Sequence, residues 1–350
     1  MEEPAIRGEL GERLKAAGDT VAIAPLPRES GPRYQPPAVA EPELQARSFS
    51  GLLPEAWRIG SFTALTADQA SESPDYDMNI TAPIAEVEST PVIAASRDIF
   101  AFPRGARSGV CLHAIFERLD FSQCDRERLE TLVNRTLAGH GIDAAEWTPT
   151  IADLVERVLA TPLDDSGLTL GSVTAERRLN ELEFTYPLAQ LRADTLRRVL
   201  EQHGMAMGPF REMIERLQFN PLRGYMKGFM DLVFEADGRF YLVDYKSNWL
   251  GADLAAYRRE SLDQAMNRHS YVLQYLIYTV ALHRYLRLRV LDYDYERHFG
   301  GVFYLFLRGM NPASGPECGI FRDRPTLALV MALDQLMATG LITPGLSLNP

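Results

Sequence analysis

A mixed β-sheet flanked by helices, in the α/β class, is the fold that this 350-residue chain predicts, and three observations carry it. Residues 225–251 read as a β-hairpin. The apolar runs Phe229–Phe234 and Phe240–Val243 are joined through Glu235-Ala236-Asp237-Gly238, whose Asp-Gly pair supplies the positive-φ positions of a tight turn. Two further stretches, 173–186 and 301–307, alternate or run apolar as strands do. Between these strands lie segments whose apolar residues recur at three- and four-residue steps, the helical period.

In chain order, residues 1–100 hold 11 of the 22 prolines and most of the acidic excess behind the formal charge of −11. Such a segment predicts an extended linker or tail, leaving 101–350 as the folded domain. Two patches inside it, Ser48–Leu52 and Trp57–Phe62, read as the frayed end of something larger upstream. A helix over 108–119 has Leu112, Phe116 and Leu119 as its apolar stripe and carries His113. Further helices are predicted at 125–139, 150–160 and 191–203, an amphipathic one over Ala265–Leu286, and a closing one over Thr326–Met337.

Composition narrows the function classes. Cys111, Cys124 and Cys318 are far apart and form no Cys-x-x-Cys pair, which argues against a disulfide scaffold, a zinc ribbon or a four-cysteine cluster and fits a reducing cytoplasm. The first residues lack a signal-peptide pattern, and no apolar run approaches membrane-spanning length, so a cytoplasmic protein without a membrane partner is expected. No Gly-x-x-x-x-Gly-Lys-Ser/Thr loop occurs, which excludes a P-loop ATPase core. The net acidity argues against finding nucleic acid through the overall field.

The chemistry concentrates in the hairpin. Asp231 interrupts the first strand, while Asp244, Tyr245 and Lys246 end the second. Residues two apart on a strand share a face, so Asp244 and Lys246 point the same way, and adjacent strands about 4.8 Å apart bring Asp231 to the same patch. Two carboxylates and an ammonium converging there are costly unless a cation and a substrate are involved. That set suits a divalent-metal hydrolase in which Lys246 orients a water, takes its proton, or steadies developing charge. Plainer readings stand beside it: Asp244 and Lys246 as an ion pair, His113 as a core histidine, Gln274 and Tyr278 as helix packing, and one of Glu181 and Glu183 as merely solvated. Tyr271, Tyr275 and Tyr285 read as core. The basic residues between 197 and 227 read equally as a solvated face or a phosphate track.

Asp231 followed by Asp244-Tyr245-Lys246 and then Gln274-x-x-x-Tyr278 resembles the PD-(D/E)xK nuclease superfamily, in its RecB-type branch. Gly228–Phe234, Leu242–Gly251, Ala281–Leu286, Asp292–Glu296 and His298–Gly309 extend the likeness, as do Pro103–His113 and Glu181–Phe184, so that it spans roughly 100–340. Met230 stands where the superfamily's name has proline. The resemblance implies a restriction-endonuclease-like core and a DNA nuclease of the exonuclease V type, serving double-strand break repair, recombination and degradation of linear DNA. It implies Mg²⁺ as cofactor, with Mn²⁺ as a substitute and Ca²⁺ as a non-catalytic occupant. His113, Asp231, Asp244 and the carbonyl of Tyr245 would be metal ligands. Lys246, Asp244 and Glu181 would be catalytic, and Gln274 and Tyr278 would contact DNA. Implied partners are single-stranded DNA fed by a helicase, the RecC and RecD subunits, and RecA recombinase. The rival expectation is a non-catalytic docking module for recombinase or partner subunits.

Overall fold

The computed structural model describes residues 57–66, 98–122 and 125–342, with isolated positions between 8 and 31, so the Ser48–Leu52 patch lies outside the described residues. The elements below all belong to the compact unit Pro54–Pro350. A six-stranded sheet runs β1-β3-β4-β5-β6, with β2 also paired to β3. The strands are β1 (Arg58–Gly60), β2 (Arg178–Leu191), β3 (Leu222–Ala236), β4 (Arg239–Lys246), β5 (Phe299–Phe306) and β6 (Ile320–Asp323). Pairing is mixed, as expected: β1–β3 and β4–β5 are parallel, the other pairs antiparallel. The hairpin turn is the one the Asp-Gly pair predicts, with φ of 51° at Asp237 and 73° at Gly238.

Helices cover both faces. On one lie α2 (Ala106–Arg118), α3 (Arg126–Gly139) and α4 (Ala144–Ala160), packed on Leu232, Phe234, Val243 and Tyr245. The other face packs on Met226, Met230, Val233 and Leu242. It carries α1 (Phe62–Thr66), α5 (Ala193–Gln202), α6 (Arg211–Glu215), α7 (Arg259–Arg268), α8 (Tyr271–Arg289) and α10 (Leu327–Thr339). A single turn, α9 (Tyr295–His298), leads into β5.

Four elements differ from the sequence expectation. The strand expected at 173–186 is displaced to 178–191; Pro187 inside it is tolerated because, among the described residues, β2 pairs on one side only and can spare an N–H there. Helix α4 begins six residues before 150, capped by Asp143, and Pro149 lies inside it. The single helix expected over 265–286 is two helices, broken at Ser270, which is left-handed at φ 57°. The second of these, α8, is buried nearly all round rather than amphipathic, because its polar groups find partners inside. Tyr275 Oη donates to Asp323 at 2.6 Å and Tyr271 Oη to Asn248 at 3.2 Å.

Residues 58–66 require a correction as well. They belong to the sheet rather than to a linker: β1 pairs with Gly224–Met226 of β3, and Phe62 and Leu65 are buried in the core. A domain boundary at 100 therefore puts one strand and one helix on the wrong side. A chain starting at residue 67 is expected to be less stable than one starting at residue 54 by about 3–6 kcal/mol in urea denaturation, from losing the burial of Phe62 and Leu65 against the core. Equal midpoints would show that this strand and helix contribute nothing.

Candidate active site

The site forms where β3 and β4 separate. Their pairing runs from Ala236↔Arg239 to Leu232↔Val243 and then stops. One step further in register, Asp231 stands across from Asp244. Here Asp231 Oδ2 replaces the missing strand partner and accepts the backbone N–H of Tyr245 at 2.7 Å. Beyond this point β4 continues against β5 as far as Lys246↔Phe306. On its β4 side, β3 has no described strand partner again until Met226, opposite Gly60 of β1. The result is a notch in the sheet, five residues long on β3, with Asp231 at its inner end.

His113 reaches this notch from α2. Its Nδ1 is 3.3 Å from Asp231 Oδ2, and its ring stands edge-on to that of Tyr245. The approach of α2 is set by close packing at its start, since a Cβ on Gly109 would stand 2.9 Å from Ser247 Oγ at the end of β4. The strap leading into α2 is fixed by Arg308. Its guanidinium donates to the carbonyls of Ile99 (2.7 Å), Phe102 (2.9 Å), Pro103 (2.8 Å) and Ser247 (3.1 Å). Burial pushes its pKa down to about 10, and the four carbonyl dipoles offset that desolvation. Trp249 adds a bond to the Phe100 carbonyl and a face for the Arg104 guanidinium, 3.5 Å away.

Asp244 and Lys246 share the opposite face of β4. Lys246 Nζ is 2.7 Å from Asp244 Oδ1 and 3.2 Å from Gln274 Oε1, and it lies 3.9 Å from the centre of the Tyr271 ring. Gln274 in turn donates to Tyr278 Oη at 3.3 Å and accepts from Tyr304 Oη at 3.0 Å. Asp244, Lys246, Gln274 and Tyr278 are all at most 3% exposed. Gln274 and Tyr278, expected to contact DNA, thus offer it no surface. Gln274 is engaged in holding the ammonium, and Tyr278 packs against Phe184 beneath Gly228. Tyr271, read from sequence as core, and Tyr304, read as strand filling, line the ammonium directly. A strand-end lysine opposite a helix with Tyr and Gln at three-residue spacing was the signal available for Tyr271; nothing in the sequence marked Tyr304.

Glu181 occupies the place in β2 between Asn180↔Leu232 and Leu182↔Met230, across β3 from the notch. It is left-handed at φ 50°, a conformation costly for a non-glycine residue and one that marks a local break in the strand. Burial first, then the negative charges of Asp231 and Glu181, hold the Tyr245 phenol well above its usual pKa, with Arg178 opposing. That hydroxyl is buried without a hydrogen-bond partner among the described residues.

The donor types fit a hard divalent cation: two carboxylates, an imidazole and a backbone carbonyl. The structure brings His113 and Asp231 together, but Asp244 is turned to Lys246. Among the described residues no three His, Cys, Asp or Glu side chains are gathered closely enough to hold an ion. The expected cluster is therefore assembled only in part.

A family model described as the PD-(D/E)XK nuclease superfamily matches residues 94–325. The chain is 38% identical over 309 residues to the RecBCD enzyme subunit RecB of Escherichia coli (strain K12), across 86% of this chain and 25% of that protein. It is 33% identical over 318 residues to the subunit of the same name from Haemophilus influenzae, across 83% of this chain and 24% of that one. Against that of Mycolicibacterium smegmatis it is 33% identical over 376 residues, across 93% of this chain and 33% of that one. The chain thus matches only about a quarter to a third of these relatives' length.

Two stability outcomes follow from the geometry. Tyr245→Phe removes a buried, unbonded hydroxyl while keeping the carbonyl and N–H, and is expected to leave stability unchanged or raise it by about 1 kcal/mol. Lys246→Ala removes the ammonium that balances the buried Asp244 carboxylate and is expected to cost about 3–5 kcal/mol. Thermal and urea denaturation check both; a large loss for Tyr245→Phe would mean that the hydroxyl has a partner in solution.

Proposed function

This chain belongs to the PD-(D/E)XK nuclease superfamily, and on that footing we propose that it is a Mg²⁺-dependent DNA nuclease of the exonuclease V type that hydrolyses phosphodiester bonds at the notch between β3 and β4. The observation that carries the reading is the pairing of Asp231 with His113 on one side of that notch and of Asp244 with Lys246 on the other. Nothing in an ordinary sheet requires four polar side chains, each at most 7% exposed, at one strand end.

His113, Asp231, Asp244 and the Tyr245 carbonyl would hold the cation, Mn²⁺ serving as a substitute and Ca²⁺ as an inert occupant. When bound, the metal supplies Lewis-acid polarisation of the phosphate and a lowered pKa for an attacking water. The protein's own work is orientation. Asp231 anchors β4 through the Tyr245 N–H, which directs the carbonyls and side chains of 244–246. Asp244 and Gln274 hold the Lys246 ammonium from two sides, and that ammonium would bind the attacking water or steady the charge developing on phosphorus. Glu181, across β3, is the further acidic group of the reading. The relatives are named as RecB subunits of a RecBCD enzyme, and on that analogy we place the chain beside RecC- and RecD-type subunits; a helicase motor and RecA recombinase complete the proposed set of partners. Residues 1–56 and 67–97 would be the tether, and repair, recombination and destruction of linear DNA the setting.

Single-stranded DNA incubated with the protein and Mg²⁺ is expected to be cleaved, and EDTA to abolish cleavage. Asp244→Asn and Lys246→Ala are expected to lower the rate about 10²- to 10⁴-fold. Cleavage equal in all variants would overturn the assignment. No metal-dependent cleavage together with capture of recombinase would favour a docking module instead.

A further inference from the structure

We propose that the open face of the β1–β3–β2 arm is a track for single-stranded DNA leading into the notch at Asp231, an inference that rests on the nuclease reading and adds a substrate-binding surface to it. Along β3 the residues Arg223, Tyr225, Lys227 and Phe229 alternate with Leu222, Met226 and Met230, which are buried in the core of the other face. The first four therefore line one face in single file, over about 20 Å at the strand rise, and the next alternate residue is Asp231. Past Met230 the alternation changes phase, since Leu232 and Phe234 pack under helices α2–α4. Among the described residues those helices cover this face only from there onward, leaving Arg223 and Tyr225 exposed and Lys227 and Phe229 half-buried on the way to the notch.

What lies bare is unusual for a solvated surface. Trp57 is 62% exposed, Ile59 72% and Tyr225 40%. The Trp57 and Tyr225 rings meet edge to face at 5.7 Å, the Arg223 guanidinium is 5.9 Å from the Trp57 ring, and Lys227 Nζ is 5.4 Å from the Phe229 ring. Aromatic faces interleaved with cations are what an unpaired strand needs: rings for its bases to stack on and charges for its phosphates. Cations set between the rings, in a chain whose net charge is −11, match a strand that carries one phosphate per base. The carboxylate of Glu183 pairs with Lys227 at 2.9 Å, but both are about half exposed, so a phosphate can displace it at little cost. Duplex DNA hides its base faces, so the track selects single strands.

The test uses the full chain in EDTA and a fluorescent 20-nucleotide oligothymidylate, read by anisotropy across a salt series. Tyr225→Ala is expected to weaken binding about 5- to 100-fold, the loss of one stacked base. The double variant Arg223→Ala/Lys227→Ala is expected to flatten the slope of log affinity against log salt by about 1.4, two phosphate contacts on a single strand. Circular dichroism checks that these exposed substitutions leave the fold intact. Unchanged affinity and slope in both variants would overturn the track and leave the face to a protein partner; no binding by the unaltered chain would overturn it too. Cleavage of the same oligonucleotide in Mg²⁺ is scored in parallel. Its absence from the unaltered chain counts against the nuclease reading, whereas cleavage with binding unaffected by the substitutions counts against the track alone.

Discussion

The bond from the Tyr245 N–H to the Asp231 carboxylate holds the site open. Where two strands diverge, each leaves backbone groups that must be satisfied, and a buried N–H without a partner costs about as much as a lost hydrogen bond. Here a side chain from one strand answers the backbone of the other at 2.7 Å, so the sheet can split at a defined residue without unravelling. The same carboxylate lies 3.3 Å from the His113 ring. One group thus terminates the β3–β4 ladder, fixes the end of β4, and joins the helix-borne imidazole to the strand-borne chemistry.

Around that point the two faces of the sheet perform different tasks. On the face of α2–α4, the strap at 99–103 is tied by Arg308 to backbone carbonyls alone, which fixes the entry of α2 and hence the reach of His113. A guanidinium suits this task because its fork of donors meets several carbonyls at once, which an ammonium cannot do in one geometry. On the other face, α8 supplies a polar lining inside an otherwise apolar core. Gln274, Tyr271 and Tyr304 surround Lys246, and Asp244 balances its charge. A buried ammonium and carboxylate are tolerated because each has hydrogen-bonding company.

The division between covered and bare sheet matters as much as the notch. Leu232 and Phe234 lie under helices, whereas Tyr225 and Phe229, a few residues earlier on the same strand, do not belong to either core. On the proposed reading a substrate would approach along the less covered part of the sheet, while Asp231, Asp244 and Lys246 at the boundary are almost wholly out of water, where electrostatic interactions act most strongly.

The sequence by itself determined the hairpin, its turn and the placing of Asp231, Asp244 and Lys246 at one strand end, because strand period and Asp-Gly turn geometry are local properties that few residues specify. That Asp231 pairs with His113 while Asp244 turns to Lys246 was left to the tertiary structure. It also marked His113, Glu181 and Gln274, though only through family likeness and not through any local pattern. Tertiary structure alone decided the rest. Whether Tyr271 and Tyr304 fill a core or cradle an ammonium depends on what packs opposite them, and helical period cannot tell a buried polar face from a wet one. That Arg58–Gly60 is a strand depends on β3 having a free edge 166 residues further along the chain, at Gly224, which no short-range pattern encodes. The alternation of Arg223, Tyr225, Lys227 and Phe229 could be read from the sequence, but only the placement of α2–α4 leaves that row outside both cores among the described residues, because exposure is a property of the assembled layers and not of the strand.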